Sequence, residues 1–197
     1  MDCRLRGVEA LFVTSNHDKA LEAAEILGIE LHSIALDLPE LQSLGFAEVA
    51  AGKAAAAREA LDGPDSPILV EDSGLVFEAW NGLPGALTKW FLGSVGKVGL
   101  LKMLSAYDDC SARAVCAVAV ATADGSVRAF VGEVEGEIPP EPRGGGGFGW
   151  DPIFVPKGSS LTYAELGPSK HKDSHRTRAL RAAREALLSG PEAPPTA

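Results

Sequence analysis

The chain has 197 residues, 46% of them hydrophobic, which fits one ordinary globular domain and excludes a fibrous or wholly disordered chain. Eighteen basic against twenty-seven acidic side chains leave a net charge of −9, which opposes non-specific binding to nucleic acid and to anionic membranes. Three cysteines, Cys3, Cys110 and Cys116, without a Cys-x-x-Cys spacing indicate neither a disulfide framework nor a zinc knuckle. No apolar run approaches the about eighteen residues of a membrane span and no signal-peptide core is present, so the expectation is a cytoplasmic protein.

Residues 11–13, Leu-Phe-Val, read as a short strand running into Thr14-Ser15-Asn16, after which Ala20, Leu21, Ala24 and Leu27 recur at helical spacing up to Gly28. Ser15 or Asn16 can cap this helix, and Gly28 suits the position just past its end. The free N–H groups of a helix start favour an anion, and Lys19 one turn in adds a point charge; the plainer alternative is a capped surface helix. Ile29, Leu31 and Ser33 alternate with polar neighbours as a second strand, giving way near residues 37–42 to a loop that carries Glu40 behind Pro39. The alanine-rich run 46–61 reads as a helix bearing Lys53 and Arg58, with Lys53 most simply a surface charge.

Residues 68–70, Ile-Leu-Val, read as a buried strand that ends in Glu71 and Asp72 and is closed by a Ser73-Gly74 turn. Acids at the carboxyl end of a strand stand where ligands bind in open α/β sheets, although two solvated acids would look the same. Residues 81–85 are a turn cluster, and Leu87, Trp90 and Phe91 open a helical stretch to about Ala106 that Gly93, Gly96 and Gly99 weaken. Residues 113–122 and 127–138 read as a long antiparallel hairpin joined through Asp124-Gly125 as a two-residue loop.

Residues 142–152 contain a formal Gly-x-Gly-x-x-Gly at Gly144, Gly146 and Gly149. A dinucleotide fingerprint needs a following helix, and Pro152 argues against one. What remains is a glycine loop delivering Phe148, Trp150 and Asp151, either to line a flat pocket for a planar ring or to pin the loop on the core. The last helix spans residues 174–189, with Leu180, Ala183 and Leu187 on one face, Gly190 as its stop and residues 191–197 as a frayed tail. Lys170, His171, Lys172, His175 and Arg176 gather at its start, where the dipole already favours negative charge, so an anionic or electron-rich ligand would relieve the conflict. His171 and His175 stand four apart as in helical zinc pairs, but no glutamate lies between them and no third ligand suggests itself, so zinc is the minor reading.

A helix start with Lys19, acids at Glu40 and Glu71-Asp72, aromatics at Phe148 and Trp150, and a cationic cluster at residues 170–176 describe a metal-assisted nucleotide site. Carboxylate oxygens suit Mg²⁺, lysines neutralise phosphate charge, and aromatics hold a base; no P-loop motif is present. The ordered motifs are Thr14-Ser15-Asn16-His17-Asp18-Lys19 with Glu22, Asp37-Leu38-Pro39-Glu40, Glu71-Asp72-Ser73-Gly74, and Leu83-Pro84-Gly85 with Lys89-Trp90. Phe148-Gly149-Trp150-Asp151-Pro152, Thr162-Tyr163-Ala164-Glu165, and Lys170 followed by Ser174-His175-Arg176 complete them. On these motifs, over roughly residues 10–188, the chain resembles the inosine triphosphate pyrophosphatases, which hydrolyse deaminated purine nucleoside triphosphates to monophosphate and pyrophosphate.

The resemblance implies an α/β fold: an elongated mixed β-sheet flanked by helices, in two lobes with the active-site cleft between them. It implies a single domain over residues 1–190, a homodimer, and Mg²⁺ as cofactor. By the same resemblance Thr14, Ser15, Asn16, His17, Asp18, Lys19, Lys53 and Ser73 contact phosphates and sugar, and Glu40 and Asp72 serve the metal, with Asp72 also the base. Lys89, Phe148, Gly149, Trp150, Asp151, Lys170, His175 and Arg176 map onto substrate positions, the last two facing the 6-oxo edge of the purine. Ser15 stands where glycine is usual, Leu87 where a tyrosine is common, and His171 where asparagine usually follows the lysine; a serine at 15 would restrict the backbone if positive φ were needed there. The rival readings are a related enzyme for other modified or pyrimidine nucleotides and a non-catalytic nucleotide-binding protein.

Overall fold

The computed structural model describes residues 9–189. Its axis is a strand, Ser111–Ala121, whose side chains are buried without a break from Ala114 to Ala121, so that both faces of the sheet must be covered. In chain order the strands are β1 (Glu9–Val13), β2 (Glu30–Ile34), β3 (Ile68–Phe77), β4 (Pro84–Gly85), β5 (Ser111–Ala121), β6 (Val127–Glu137) and β7 (Val155–Pro156). The helices are α1 (His17–Leu27), α2 (Phe46–Ala60), α3 (Thr88–Leu104), α4 (Tyr163–Leu166) and α5 (His175–Ser189). The sheet has seven strands in the order β2-β1-β3-β5-β6-β7, with β4 paired to β3. β2, β1 and β3 run parallel and the remaining pairings are antiparallel, which makes the sheet mixed.

On one face α1 and α5 pack Ala23, Leu27, Leu180 and Ala183 against Phe12, Leu69 and Val118. On the other, α2 lays Ala50, Ala54 and Ala57 on Val70, Ala117 and Ala119, small side chains that let the helix lie close to the sheet. A third cluster at the far end of β3 joins Leu75, Phe77, Leu100, Leu104, Trp150, Phe154 and Tyr163. Each large aliphatic or aromatic side chain so buried contributes about 1.5–3 kcal/mol. The polar stretch 71–74 of β3 lies between these apolar masses, and the cleft opens there.

The predicted order of elements holds, with α1 capped by Asn16, whose side chain accepts from the Lys19 N–H, and ended by Gly28 at φ 63°. Three local readings change. β3 does not stop at Val70: β5 pairs Glu71 with Val118, Asp72 with Ala117, Ser73 with Cys116 and Gly74 with Val115, and this pairing carries the strand to Phe77. Glu71 and Asp72 therefore project to opposite faces of one strand. Gly74 is a close-approach glycine, since a Cβ there would stand 2.7 Å from the Gly85 carbonyl oxygen. The β5–β6 connection is wider than two residues, because Asp124 Oδ1 accepts from the Ser126 N–H at 3.0 Å and from Thr122 Oγ1 at 2.6 Å and so builds residues 122–126 into one turn. α3 is kinked at Gly96, which has φ 67° and ψ 178°, a conformation open essentially to glycine alone.

β4, β7 and α4 are too short to leave a periodic signal in the sequence. No helix among the described residues is long and apolar enough to cross a membrane. Cys3, the predicted stop at Gly190 and the tail 191–197 lie outside the described residues.

Candidate active site

The cleft is floored by the middle of β3 and walled by the ends of β1 and α1, the 36–40 loop, α2, the start of α3, the 148–151 loop and the start of α5. At one end Lys53, brought up by α2, bridges two acids: its Nζ lies 2.9 Å from Glu40 Oε1 and 3.2 Å from Asp72 Oδ1. Lys89 Nζ approaches Glu40 Oε1 at 3.6 Å from an exposed position. Lys53 is thus a half-buried partner of both acids and not the plain surface charge that its helix position suggests. Burial works against its charge, but Asp72 and Glu40 outweigh that and hold it protonated. Burial likewise pushes the Asp72 carboxyl up, further than Lys53 and Lys19 pull it down, and the neighbouring Glu40 charge adds to the rise. For Glu40, less buried, the Lys53 hydrogen bond prevails over desolvation and its pKa is lowered.

Asp72 Oδ2 is buried with no hydrogen-bond partner, so one lone-pair-bearing oxygen is left for a ligand. Among the described residues no group of three or more His, Cys, Asp or Glu side chains could hold a metal. Two carboxylates that line the cleft nevertheless suit Mg²⁺, which is commonly held by one or two carboxylates plus substrate phosphates and water. The donor set of Glu40 and Asp72 therefore fits that ion.

Thr14, Ser15, Asn16 and Lys19 line the cleft at the start of α1, while His17 and Asp18 are exposed and outside its lining. Thr14 Oγ1 accepts from the Asn16 N–H at 3.1 Å, which shapes the turn. Ser15 is under no conformational strain: among the described non-glycine residues only Asp62 and Asn81 have positive φ. The restriction expected of a serine at this position does not arise.

At the other end the cations of the α5 start are met by the protein's own acids. Arg176 donates from Nε to Glu71 Oε2 at 2.8 Å and from Nη2 to Glu71 Oε1 at 3.0 Å, a bidentate pair, and from Nη1 to Glu22 Oε2. Lys170 Nζ lies 2.7 Å from Asp151 Oδ2 and 2.9 Å from Glu22 Oε1, and Lys19 Nζ lies 3.1 Å from Glu71 Oε1. Although burial opposes its charge, Arg176 and Lys19 hold Glu71 far below the usual carboxylate range. Glu71 is thereby committed to this cluster, and the electrostatic conflict predicted at the α5 start is relieved within the chain. Lys170 sits behind the cleft wall and does not line it. His171 Nε2 is 3.0 Å from Glu22 Oε1, while His175 turns into an aromatic group, so the two histidines serve different surroundings.

The glycine loop divides between its two readings. Trp150 is packed against Phe154, Tyr163 and His175 and still lines the cleft, and Phe148 lines it with Lys170 and Arg176 at 5.0 and 5.2 Å from its ring centre. Asp151 Oδ2 accepts from the Phe148 N–H at 3.0 Å, and a Cβ on Gly147 would fall 2.9 Å from the Asp151 carboxyl carbon, so glycine is needed for that approach. Only a single 3-10 turn, Asp151–Ile153, follows the loop, far short of the helix a dinucleotide fingerprint requires. Ser73, Lys89, Gly149, Asp151, His175 and Arg176 all line the cleft.

Glu22 was without a role in the sequence and proves to join Lys170, His171 and Arg176. Its signals are its place in the first motif and its position three residues after Lys19, next to Ala23 on the face of α1 that turns inward.

A mixed open sheet with lysines and two acids at one end of a cleft, and aromatic rings at the other, defines an α/β protein suited to a phosphorylated ligand that carries a flat ring. The chain belongs to the Ham1 family, whose model matches residues 10–186. It is 45% identical over 185 residues to the inosine triphosphate pyrophosphatase of Tuber melanosporum, covering 91% of this chain and 97% of that one. It is 44% identical over 177 residues to the dITP/XTP pyrophosphatase of Methanopyrus kandleri, covering 88% and 93% respectively. Among solved structures, the HAM1 protein from Coxiella burnetii superposes with a TM-score of 0.78 at 31% identity, covering 93% of this chain and all 100% of the other.

Proposed function

We propose that the protein is a Mg²⁺-dependent nucleoside triphosphate pyrophosphatase that converts inosine, deoxyinosine and xanthosine triphosphates to the monophosphate and pyrophosphate. The observation that carries this reading is the unpartnered, buried Asp72 Oδ2 beside the Glu40–Lys53–Asp72 bridge, in a cleft whose far end presents Phe148 and His175. The names of the relatives support it.

Glu40 and Asp72 would hold the Mg²⁺, which when bound supplies charge neutralisation and Lewis-acid polarisation of phosphate oxygens. Asp72, whose Oδ2 is buried without a hydrogen-bond partner, accepts the proton of the water that attacks the α phosphorus. Lys53 keeps the two carboxylates together and, with Lys19, Lys89 and the N–H groups at the start of α1, offsets phosphate charge. Phe148 offers a ring face to the base, and His175 with Arg176 stands at its 6-oxo edge.

Cys110 and Cys116 are free thiols, which supports a cytoplasmic site of action. Leu41, Leu44 and Trp90 make an exposed apolar surface next to the cleft, which supports a homodimer. The test of the reaction is turnover of inosine triphosphate with products identified. EDTA should abolish it, Mg²⁺ should restore it, and the primary products should be monophosphate and pyrophosphate. Full activity without a divalent cation, or diphosphate and orthophosphate as products, would contradict the proposal.

A further inference from the structure

His175 carries an unusual burden. Its ring is 1% exposed and lines the cleft, yet neither ring nitrogen has a hydrogen-bond partner among the described residues. A histidine that reads a ligand normally has its ring turned and its tautomer chosen by a bond from the second nitrogen to a carbonyl or carboxylate. Here that bond is lacking. Burial, with Arg176 adding to it, pushes the imidazole pKa well down, so the ring stays neutral with one donor and one acceptor.

What orients the ring is packing. Tyr163 stacks on it with ring centres 5.7 Å apart and planes 15° apart, and Trp150 meets it at 5.0 Å and 45°. The two neighbours come from different segments. Trp150 belongs to the glycine loop whose Phe148 lines the cleft. Tyr163 opens α4, where Thr162 and Glu165 form a capping box, and its own N–H donates to the Phe154 carbonyl at 3.0 Å. Thr162 Oγ1 also donates to the Arg143 carbonyl at 2.9 Å, and the Tyr163 ring meets Phe154 at 5.0 Å and 62°. Tyr163, tied by its own hydrogen bond and its packing on Phe154, is thus the plane against which the imidazole lies.

We propose that Tyr163 is a positioning residue that sets the ring plane of His175, and through it the discrimination between 6-oxo and 6-amino purines, by its ring, its buried hydroxyl having no hydrogen-bond partner among the described residues. This rests on the reading that the cleft holds a deaminated purine with His175 at its 6-oxo edge. The cause is angular: a hydrogen bond weakens steeply once its angle falls below about 120°, so an imidazole free to tilt donates poorly to the carbonyl.

The experiment compares kcat/KM for inosine triphosphate and ATP, with Mg²⁺ present, in the wild type, Tyr163→Phe and Tyr163→Leu, together with thermal unfolding of each. Tyr163→Phe keeps the stacked ring and should retain the wild-type ratio. Tyr163→Leu should lower the ratio by about 10-fold, the value of one well-made hydrogen bond, with the loss falling on inosine triphosphate. Should Tyr163→Leu not fold, Tyr163→Met fills the same space with a flexible chain and makes the same test. A merely structural role would lower both nucleotides together; an unchanged ratio in the folded Leu or Met variant, or a ratio lost in Tyr163→Phe, overturns the inference. A wild type that does not discriminate removes the underlying reading and this inference with it.

Discussion

Asp72 lies on a buried strand beside a lysine that it shares with Glu40, and the balance among these three groups decides what the cleft can do. Desolvation raises the Asp72 carboxyl despite Lys53, so folding disfavours its charge, and its contribution to stability falls as pH rises through the raised pKa. Asparagine cannot ionise and escapes that penalty. Asp72→Asn should therefore lower the turnover of inosine triphosphate by at least ~10²-fold while thermal stability at neutral pH is kept or increased. Activity assays paired with thermal unfolding check this, and a variant that loses both together would make Asp72 a structural residue. At this scale Lys19, Glu40, Asp72, Phe148 and His175 were legible in the sequence as chemistry-bearing types at strand ends, loops and helix starts. The partners of Arg176 were not: Glu22 and Glu71 are far from it in the chain, and only the packing of α1 and α5 on one sheet face brings them together.

The same packing makes the ion cluster a joint between elements. Glu22 on α1 meets Lys170 in front of α5 and Arg176 within it, so the starts of α1 and α5 are tied through one carboxylate. Burial opposes the charge of Glu22, but Arg176 and Lys170 outweigh it and lower its pKa. A lowered carboxyl stabilises the fold fully above the ordinary glutamate pKa of about 4.3, and that contribution is lost as pH falls towards the folded value. Glu22→Gln leaves buried cations short of a partner and should cost about 3 kcal/mol at pH 7. The difference from the wild type should shrink at pH 3, as read by urea unfolding at the two pH values; a constant difference would mean that the pairing is not what stabilises. Helices α1 and α5 are legible from clear apolar periods and α2 from its alanine-rich run, and the β5–β6 pair from its strand-like runs around Asp124-Gly125. The course of β3 was not, because Glu71, Asp72, Ser73 and Gly74 look like a turn by residue type and only the full-length pairing to β5 makes them strand.

For the molecule as a whole, a net charge of −9 opposes anion binding in general, while Lys19, Lys53 and Lys89 all line the cleft. The open mixed sheet supplies that cleft by interrupting its own apolar run at the middle of β3, between the clusters packed by α1, α2 and α5 and the cluster around α3 and Tyr163. Motif order makes the family legible in the sequence, and the fold adds which side chains pair within the site. The central claim is that this cleft cleaves triphosphates and selects a 6-oxo purine. Pyrophosphate release measured at fixed Mg²⁺ across inosine, deoxyinosine, xanthosine, adenosine, guanosine and cytidine triphosphates tests it most directly. The account predicts turnover of the first three and a kcat/KM for ATP lower by roughly 10⁴-fold, because a site that hydrogen-bonds its substrate rejects an analogue with mismatched polar groups. Equal turnover across the panel, or a preference for ATP or the pyrimidine nucleotide, would contradict it.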